Sequence, residues 1–116
     1  MASVVQNAAD NSDVIYVPTD NTCASNTGII DNICHGKLPV FCGEEGICEA
    51  CGVATLSISY YDLGVATGKM AAKILKGEAK VGEMPIEYAP NFVKKANPAM
   101  CADLGLTIPD GYETIG

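Results

Sequence analysis

Val14-Ile15-Tyr16-Val17 runs directly into Pro18-Thr19-Asp20-Asn21, and the same arrangement returns at Leu38-Pro39-Val40-Phe41 followed by Cys42-Gly43-Glu44-Glu45-Gly46. Each half begins as a short apolar run of the kind that fills a strand covered on both faces. Pro18 ends the first run, because proline cannot donate to a central ladder. Between the two runs the spacing predicts a helix from the Asn21 loop to Cys34 or His35, with Ile29, Ile30 and Ile33 as its buried stripe. Gly36 fits the left-handed position that closes many helices. Strand, helix, strand with short connections calls for a right-handed parallel crossover. In open parallel sheets ligands bind beyond the carboxyl ends of the strands. Two acidic loops at those ends would form one face of a cleft for a small molecule carrying a cationic amine. The chain is expected to be too short to supply the other face.

Outward from this centre the pattern stays regular. Residues 3–10 read as a short helix that Asn11-Ser12-Asp13 breaks. Residues 52–58 alternate apolar and small polar side chains, as a third strand would. Ser59 and Asp62 form a capping pattern ahead of Leu63, Thr67, Met70, Ala71 and Ile74, which share one helical face. Lys69, Lys73 and Lys76 lie toward that helix's C-terminus, where the dipole favours them, and Gly77 closes it. A polar turn follows, and Pro85-Ile86-Glu87-Tyr88 reads as an edge strand before Pro90. Asn97 with Pro98 predicts the start of a last short helix, stopped by Gly105, and residues 106–110 form an extended tail.

At 116 residues the chain is one domain at most, and at 48% hydrophobic and 18% charged it is globular. A net charge of −7 with no arginine argues against a nucleic-acid partner, which needs clustered cations to neutralise phosphates. The N-terminus has neither the basic region nor the long apolar run of a signal peptide, and nothing approaches a transmembrane span. Read alone, the chain is soluble and cytoplasmic; read as a piece of a longer protein, its targeting segment lies upstream. No constellation of nucleophile, base and orienting group is present, so the chain is expected not to be an enzyme and to need no cofactor.

Cysteines occupy positions 23, 34, 42, 48, 51 and 101. Regular periodicity sets the chain apart from small secreted disulfide frameworks, so most of these thiols are expected to fill small apolar positions. Cys48-x-x-Cys51 is half of a zinc site, and it is read here as lying before a strand rather than opening a helix. A small metal- or thiol-redox α/β module using Cys48 and Cys51 is the rival reading. His35 reads as a helix-end residue.

The order of these segments resembles a specific family. Residues 13–22, Leu38-Pro39-Val40-Phe41, residues 54–64, residues 67–78 and residues 104–109 are similar, in order and spacing, to ABC transporter substrate-binding proteins related to tryptophan- and tyrosine-binding lipoproteins. The resemblance implies an α/β, Rossmann-like, three-layer parallel-sheet lobe of a type I periplasmic binding protein. Residues 1–116 would be the C-terminal lobe and hinge-crossing segments, with the N-terminal lobe absent. The parent would be the extracytoplasmic solute-binding component of an importer, delivering a small molecule such as an aromatic amino acid to a membrane permease. The strand at 53–58 would cross the hinge. The helix over 60–76 would pack on the missing lobe, and its bare apolar stripe would favour a homo-oligomer.

The expected ligand contacts follow from loop position. Thr19, Asp20 and Asn21 sit where a strand end meets a helix start, so Asp20 either accepts from a ligand ammonium or caps the next helix. Glu44 and Glu45 are flanked by glycines that let backbone approach a ligand. By analogy with amino-acid receptors of this fold, one of them, with Glu44 preferred, would meet the ligand's α-amine; the alternative is two solvated glutamates in a turn. Ser59 and Tyr60 lie near the hinge crossing; Ser59 reads first as a cap, and Tyr60 either stacks on an aromatic ligand or joins the core.

Overall fold

Strand β1 (Ile15–Val17) and strand β2 (Val40–Cys42) lie side by side and parallel, Ile15 opposite Val40 and Val17 opposite Cys42. The computed structural model describes residues 1–115. Strand β3 (Ala54–Ile58) continues the parallel run beside β2, and β4 (Phe92–Ala96) pairs in parallel with β5 (Glu113–Thr114). The five strands stand in the order β1-β2-β3-β4-β5. Among the described residues six α-helices connect or flank them: α1 (Ala2–Asp10), α2 (Asn21–Ala24), α3 (Thr27–Cys34), α4 (Glu45–Cys51), α5 (Tyr60–Leu75) and α6 (Pro98–Asp103). The expected α/β class with a parallel sheet is therefore met.

The chain divides into two compact units, Met1–Ser57 with the segment from Lys94 onward, and Ile58–Val93. In the first unit the core lies on one face of β1 and β2. Val17, Val40 and Cys42 meet Ile30 and Cys34 of α3 and Ile47, Cys48 and Cys51 of α4, with Val5 and Ala9 of α1 alongside. Five of the six cysteines are buried and all six are free thiols, so they fill small apolar positions as expected. The opposite face departs from expectation. Tyr16 is 66% exposed, its register partner Phe41 41% and Leu56 57%. A period of two sends alternate side chains to opposite faces, and among the described residues only the face of Val17, Val40 and Cys42 is buried in the core. The apolar runs at 14–17 and 38–41 are thus not covered on both faces.

Other elements also differ from the sequence reading. The helix expected through 21–35 is two helices, because Asn26 turns its side-chain amide back to the Thr22 carbonyl at 2.9 Å and offers the chain an alternative to continuing. Gly36 has the left-handed φ of +66° that the sequence predicts. Residues 85–88 are extended but lie in no ladder, with Ile86 and Tyr88 each 85% exposed. The strand lies instead at Phe92–Ala96, beyond Pro90. Its amides find partners in β5 (Lys95 opposite Glu113), a strand within what reads as tail. Asn97 caps α6 as predicted, accepting from the Met100 amide at 3.3 Å. Its amide also donates to the carbonyls of Cys48 and Glu49 at 3.4 and 3.0 Å, stapling α4 to the end of β4.

His35 does more than end a helix. Its Nδ1 lies 2.8 Å from Asp31 and its Nε2 2.9 Å from Asp103, so the ring links the end of α3 to α6. The hydrogen bonds to these carboxylates raise the imidazole pKa above its ordinary 6.5. A folded-state pKa above the unfolded value means the link stabilises fully below pH 6.5 and fades as pH rises through the raised value. Urea midpoints measured across that range should fall with rising pH for the native chain, and His35→Gln should flatten this part of the profile.

In the second unit α5 buries no residue. Ser59 caps it, accepting from the Asp62 amide at 3.2 Å, and Asp62 in turn takes the Asn91 side-chain amide at 2.9 Å. Gly77 closes the helix at φ +75°.

Candidate functional site

The carboxyl ends of β1 and β2 are tied together. The Gly43 amide donates to the Val17 carbonyl at 2.8 Å, and the Thr19 hydroxyl donates back to the Gly43 carbonyl at 3.3 Å. A Cβ at Gly43 would stand 2.8 Å from the Thr19 nitrogen and 3.1 Å from the Tyr16 hydroxyl oxygen. Only glycine allows the two loops to meet this closely, and the consequence is that Asp20 and Glu44 stand at the heads of neighbouring loops.

Each carboxylate opens a helix. Asp20 is the N-cap of α2 and accepts from the Cys23 amide at 2.8 Å. That amide holds its pKa below the ordinary carboxylate value, and the side chain is exposed, so Asp20 stands ionised toward solvent. Glu44 is the N-cap of α4, one oxygen accepting from Gly46 at 2.9 Å and the other from Ile47. Both of its oxygens thus serve its own helix, an arrangement worth about 1 kcal/mol for an N-cap in general. Glu45 turns away into an ion pair, 2.6 Å from Lys95 on β4, and this contact raises the lysine pKa. Among these acids Asp20 is therefore the one best placed to meet a cation from outside. Asn21 begins α2 next to it and is exposed.

Asp20 also borders an apolar groove of about 540 Å³, lined by Val4, Val5 and Ala8 of α1 and by Tyr16, Val17 and Ile30. Such a lining with one ionised group at its margin suits a ligand with an apolar body and a cationic end. The structure thus brings together Thr19, Asp20, Asn21 and Glu44, with the flanking Gly43 as their point of closest approach, commits Glu45 to Lys95, and adds Tyr16, which the sequence reading left out. Ser59 and Tyr60 belong to the second unit: Ser59 serves as a cap, and Tyr60 is 56% exposed. The second unit has its own open groove along α5, where Lys69, Lys73 and Lys76 mix with Asp62, Glu78 and Glu87. That mixture selects no single ligand charge.

A family model described as ABC transporter substrate binding protein matches residues 1–113. The chain belongs to this family. Among curated proteins it is similar to a tyrosine-binding protein of Clostridioides difficile (strain R20291), 36% identical over 75 residues, which is 64% of this chain and 21% of that protein. Among solved structures it resembles the ABC domain from Streptococcus pneumonia in complex with L-Trp, with a TM-score of 0.83 and 32% identity over 97% of this chain and 40% of that one. It also resembles a conserved domain protein from Vibrio cholerae (TM-score 0.83, 30% identity, 97% and 40% covered). A third likeness is to the ligand-free, open structure of a substrate binding protein with adhesive properties from Clostridium difficile. Here the TM-score is 0.74 and the identity 32%, over 98% of this chain and 39% of that one. This chain thus spans about two fifths of the solved relatives and about a fifth of the curated one.

Membership agrees with the fold and does not favour the metal or thiol-redox alternative. Cys48-x-x-Cys51 lies on the buried side of α4, a helix the sequence reading missed, with Cys48 0% and Cys51 5% exposed. Among the described residues no group of three or more His, Cys, Asp and Glu is arranged to hold a metal ion. No helix among them is long and apolar enough to cross a membrane.

Proposed function

We infer that this chain supplies one side of an interlobe cleft that captures a small solute, an aromatic amino acid, for import by an ABC transporter. The observation that carries the reading is the pair of strand ends stitched at Thr19 and Gly43. They hold an ionised, exposed Asp20 beside an apolar groove in a chain of the substrate-binding family. Asp20 would receive the ligand ammonium, and Asn21 and Thr19 would add neutral hydrogen bonds. Glu44 would act by fixing the loop, its carboxylate being occupied by its own helix, and Glu45 by anchoring to Lys95. The division between units falls at the end of β3 and within β4, and we read these two strands as the hinge-crossing segments of a C-terminal lobe. Ligand binding would then favour the closed state through contacts made only on closure. The whole protein would act outside the cytoplasm with a membrane permease as partner, and would carry out no chemistry on its ligand. The bare face of α5 would pack on the first lobe, or on a second copy when that lobe is missing.

Titration calorimetry with L-tryptophan and L-tyrosine tests this. Asp20→Asn keeps an equally good N-cap and so should leave thermal stability unchanged. It removes the charge, and a hydrogen bond to a charged group is worth about 1.5–3 kcal/mol, so affinity should fall roughly 10- to 150-fold. Unchanged affinity in Asp20→Asn, or heat effects that vanish with a chelator instead, would remove Asp20 from the site.

A further inference from the structure

Three thiols surround the root of the Glu44 loop. Cys42 ends β2 with its side chain in the core, and Cys48 and Cys51 lie one turn apart on the inner side of α4. A Cβ placed on Gly52 would stand 2.4 Å from the Cys42 sulfur and 3.0 Å from the Cys48 Cα, so Cys42 Sγ and the Cys48 backbone crowd one point. The missing Gly52 side chain is what lets β2's sulfur nest against the helix. Cys51 also lies against the Cys42 thiol, but its own thiol donates to the Ile47 carbonyl at 3.3 Å.

We propose that Cys42 and Cys48 are a latent disulfide whose closure pins α4 to β2 and fixes the loop carrying Gly43, Glu44 and Glu45 between them. Both thiols are buried, at 2% and 0% exposure, and as free thiols they are inert core residues. Contact with the neighbouring thiols of Cys48 and Cys51, and then burial, push the Cys42 pKa up, so attack from the folded, reduced state is slow. Closure therefore belongs to folding, or to transient opening of the seven-residue helix α4. The co-reactant is a low-molecular-weight disulfide. One thiolate attacks it and expels one small thiol. The second protein thiolate then attacks the mixed disulfide and expels the other, so two electrons and two protons pass from the cysteines to the small disulfide. The closed ring spans the whole candidate loop, so oxidation would restrict it in the unfolded chain and pre-organise it in the folded one.

The test is to refold the chain from denaturant in a mixture of reduced and oxidised glutathione, block free thiols, and cleave after lysine and glutamate. Lys37 parts Cys42 from Cys23 and Cys34, and Glu44, Glu45 and Glu49 place Cys42, Cys48 and Cys51 on different peptides. The expected result is one cross-linked pair, residues 38–44 joined to residues 46–49, two hydrogen masses lighter than the separate peptides. Cys51→Ser should keep that link, and the melting temperature should rise on oxidation and return with dithiothreitol. Six blocked thiols, a Cys48–Cys51 link or a Cys42–Cys51 link would each overturn the proposal. The outcome is independent of ligand binding.

Discussion

Ile47→Ala will cost about 2–5 kcal/mol of stability, the range for emptying a fully buried aliphatic site. Ile47 is 0% exposed and sits at the centre of the cluster formed by Val17, Ile30, Val40 and the core cysteines. Domains are stable by only about 5–15 kcal/mol, so this single change removes a large share of the total. Its amide is also one of the two that Glu44 caps, so the cavity opens directly under the candidate loop. Urea unfolding followed by circular dichroism reads the loss as a fall in midpoint at constant slope. Leu75→Ala is the comparison: at 87% exposure on α5 it should stay within about 0.5 kcal/mol of the native chain. An Ile47→Ala variant as stable as Leu75→Ala would mean the core is not organised around α4.

Gly52→Ala comes second in size. Its backbone, at φ −112° and ψ 157°, is open to any residue, so the objection is to space alone. The added methyl would meet the Cys42 sulfur at 2.4 Å, the Cys48 Cα at 3.0 Å and the Val40 carbonyl oxygen at 3.2 Å. Two of these are backbone atoms of β2 and α4 and cannot swing aside. Overpacking of this kind costs about 1–3 kcal/mol. The entropy that the unfolded chain loses with the glycine offsets only about 0.4–1 kcal/mol of this, so the clash wins. The same substitution at Gly68, inside α5 with nothing within 4 Å, should stabilise by about 0.5–1 kcal/mol. Melting temperatures of the two variants should therefore move in opposite directions.

The sequence disclosed those parts of the fold whose cause is local. Val14-Ile15-Tyr16-Val17 before proline, Asn97-Pro98, Ser59 with Asp62, and Gly36 and Gly77 each carry their own geometry, and the structure has a strand, two caps and two left-handed closures there. Helix α4 was illegible because Glu44 is outside the usual N-cap set and Gly46 in the first turn counts against a helix. It forms because Ile47, Cys48 and Cys51 bury their side chains against β2 and α3. Strand β4 was hidden by Lys94 and Lys95, and Ile86 and Tyr88 mimicked a strand whose alternation meets no ladder. At the site, Asp20 could be read from its place after a strand and a proline. The pairing of Glu45 with Lys95 spans fifty positions, and the approach of Gly43 to Thr19 and Tyr16 spans two dozen or more. Such contacts exist only once the parallel register is set.

The most direct test of the ligand-binding account is a titration of the isotope-labelled chain with L-tryptophan, followed amide by amide by nuclear magnetic resonance. The shifts should concentrate at residues 19–22 and 43–47, the two loops stitched at the ends of β1 and β2. Shifts confined to residues 60–91, or no shifts at millimolar tryptophan, would contradict it.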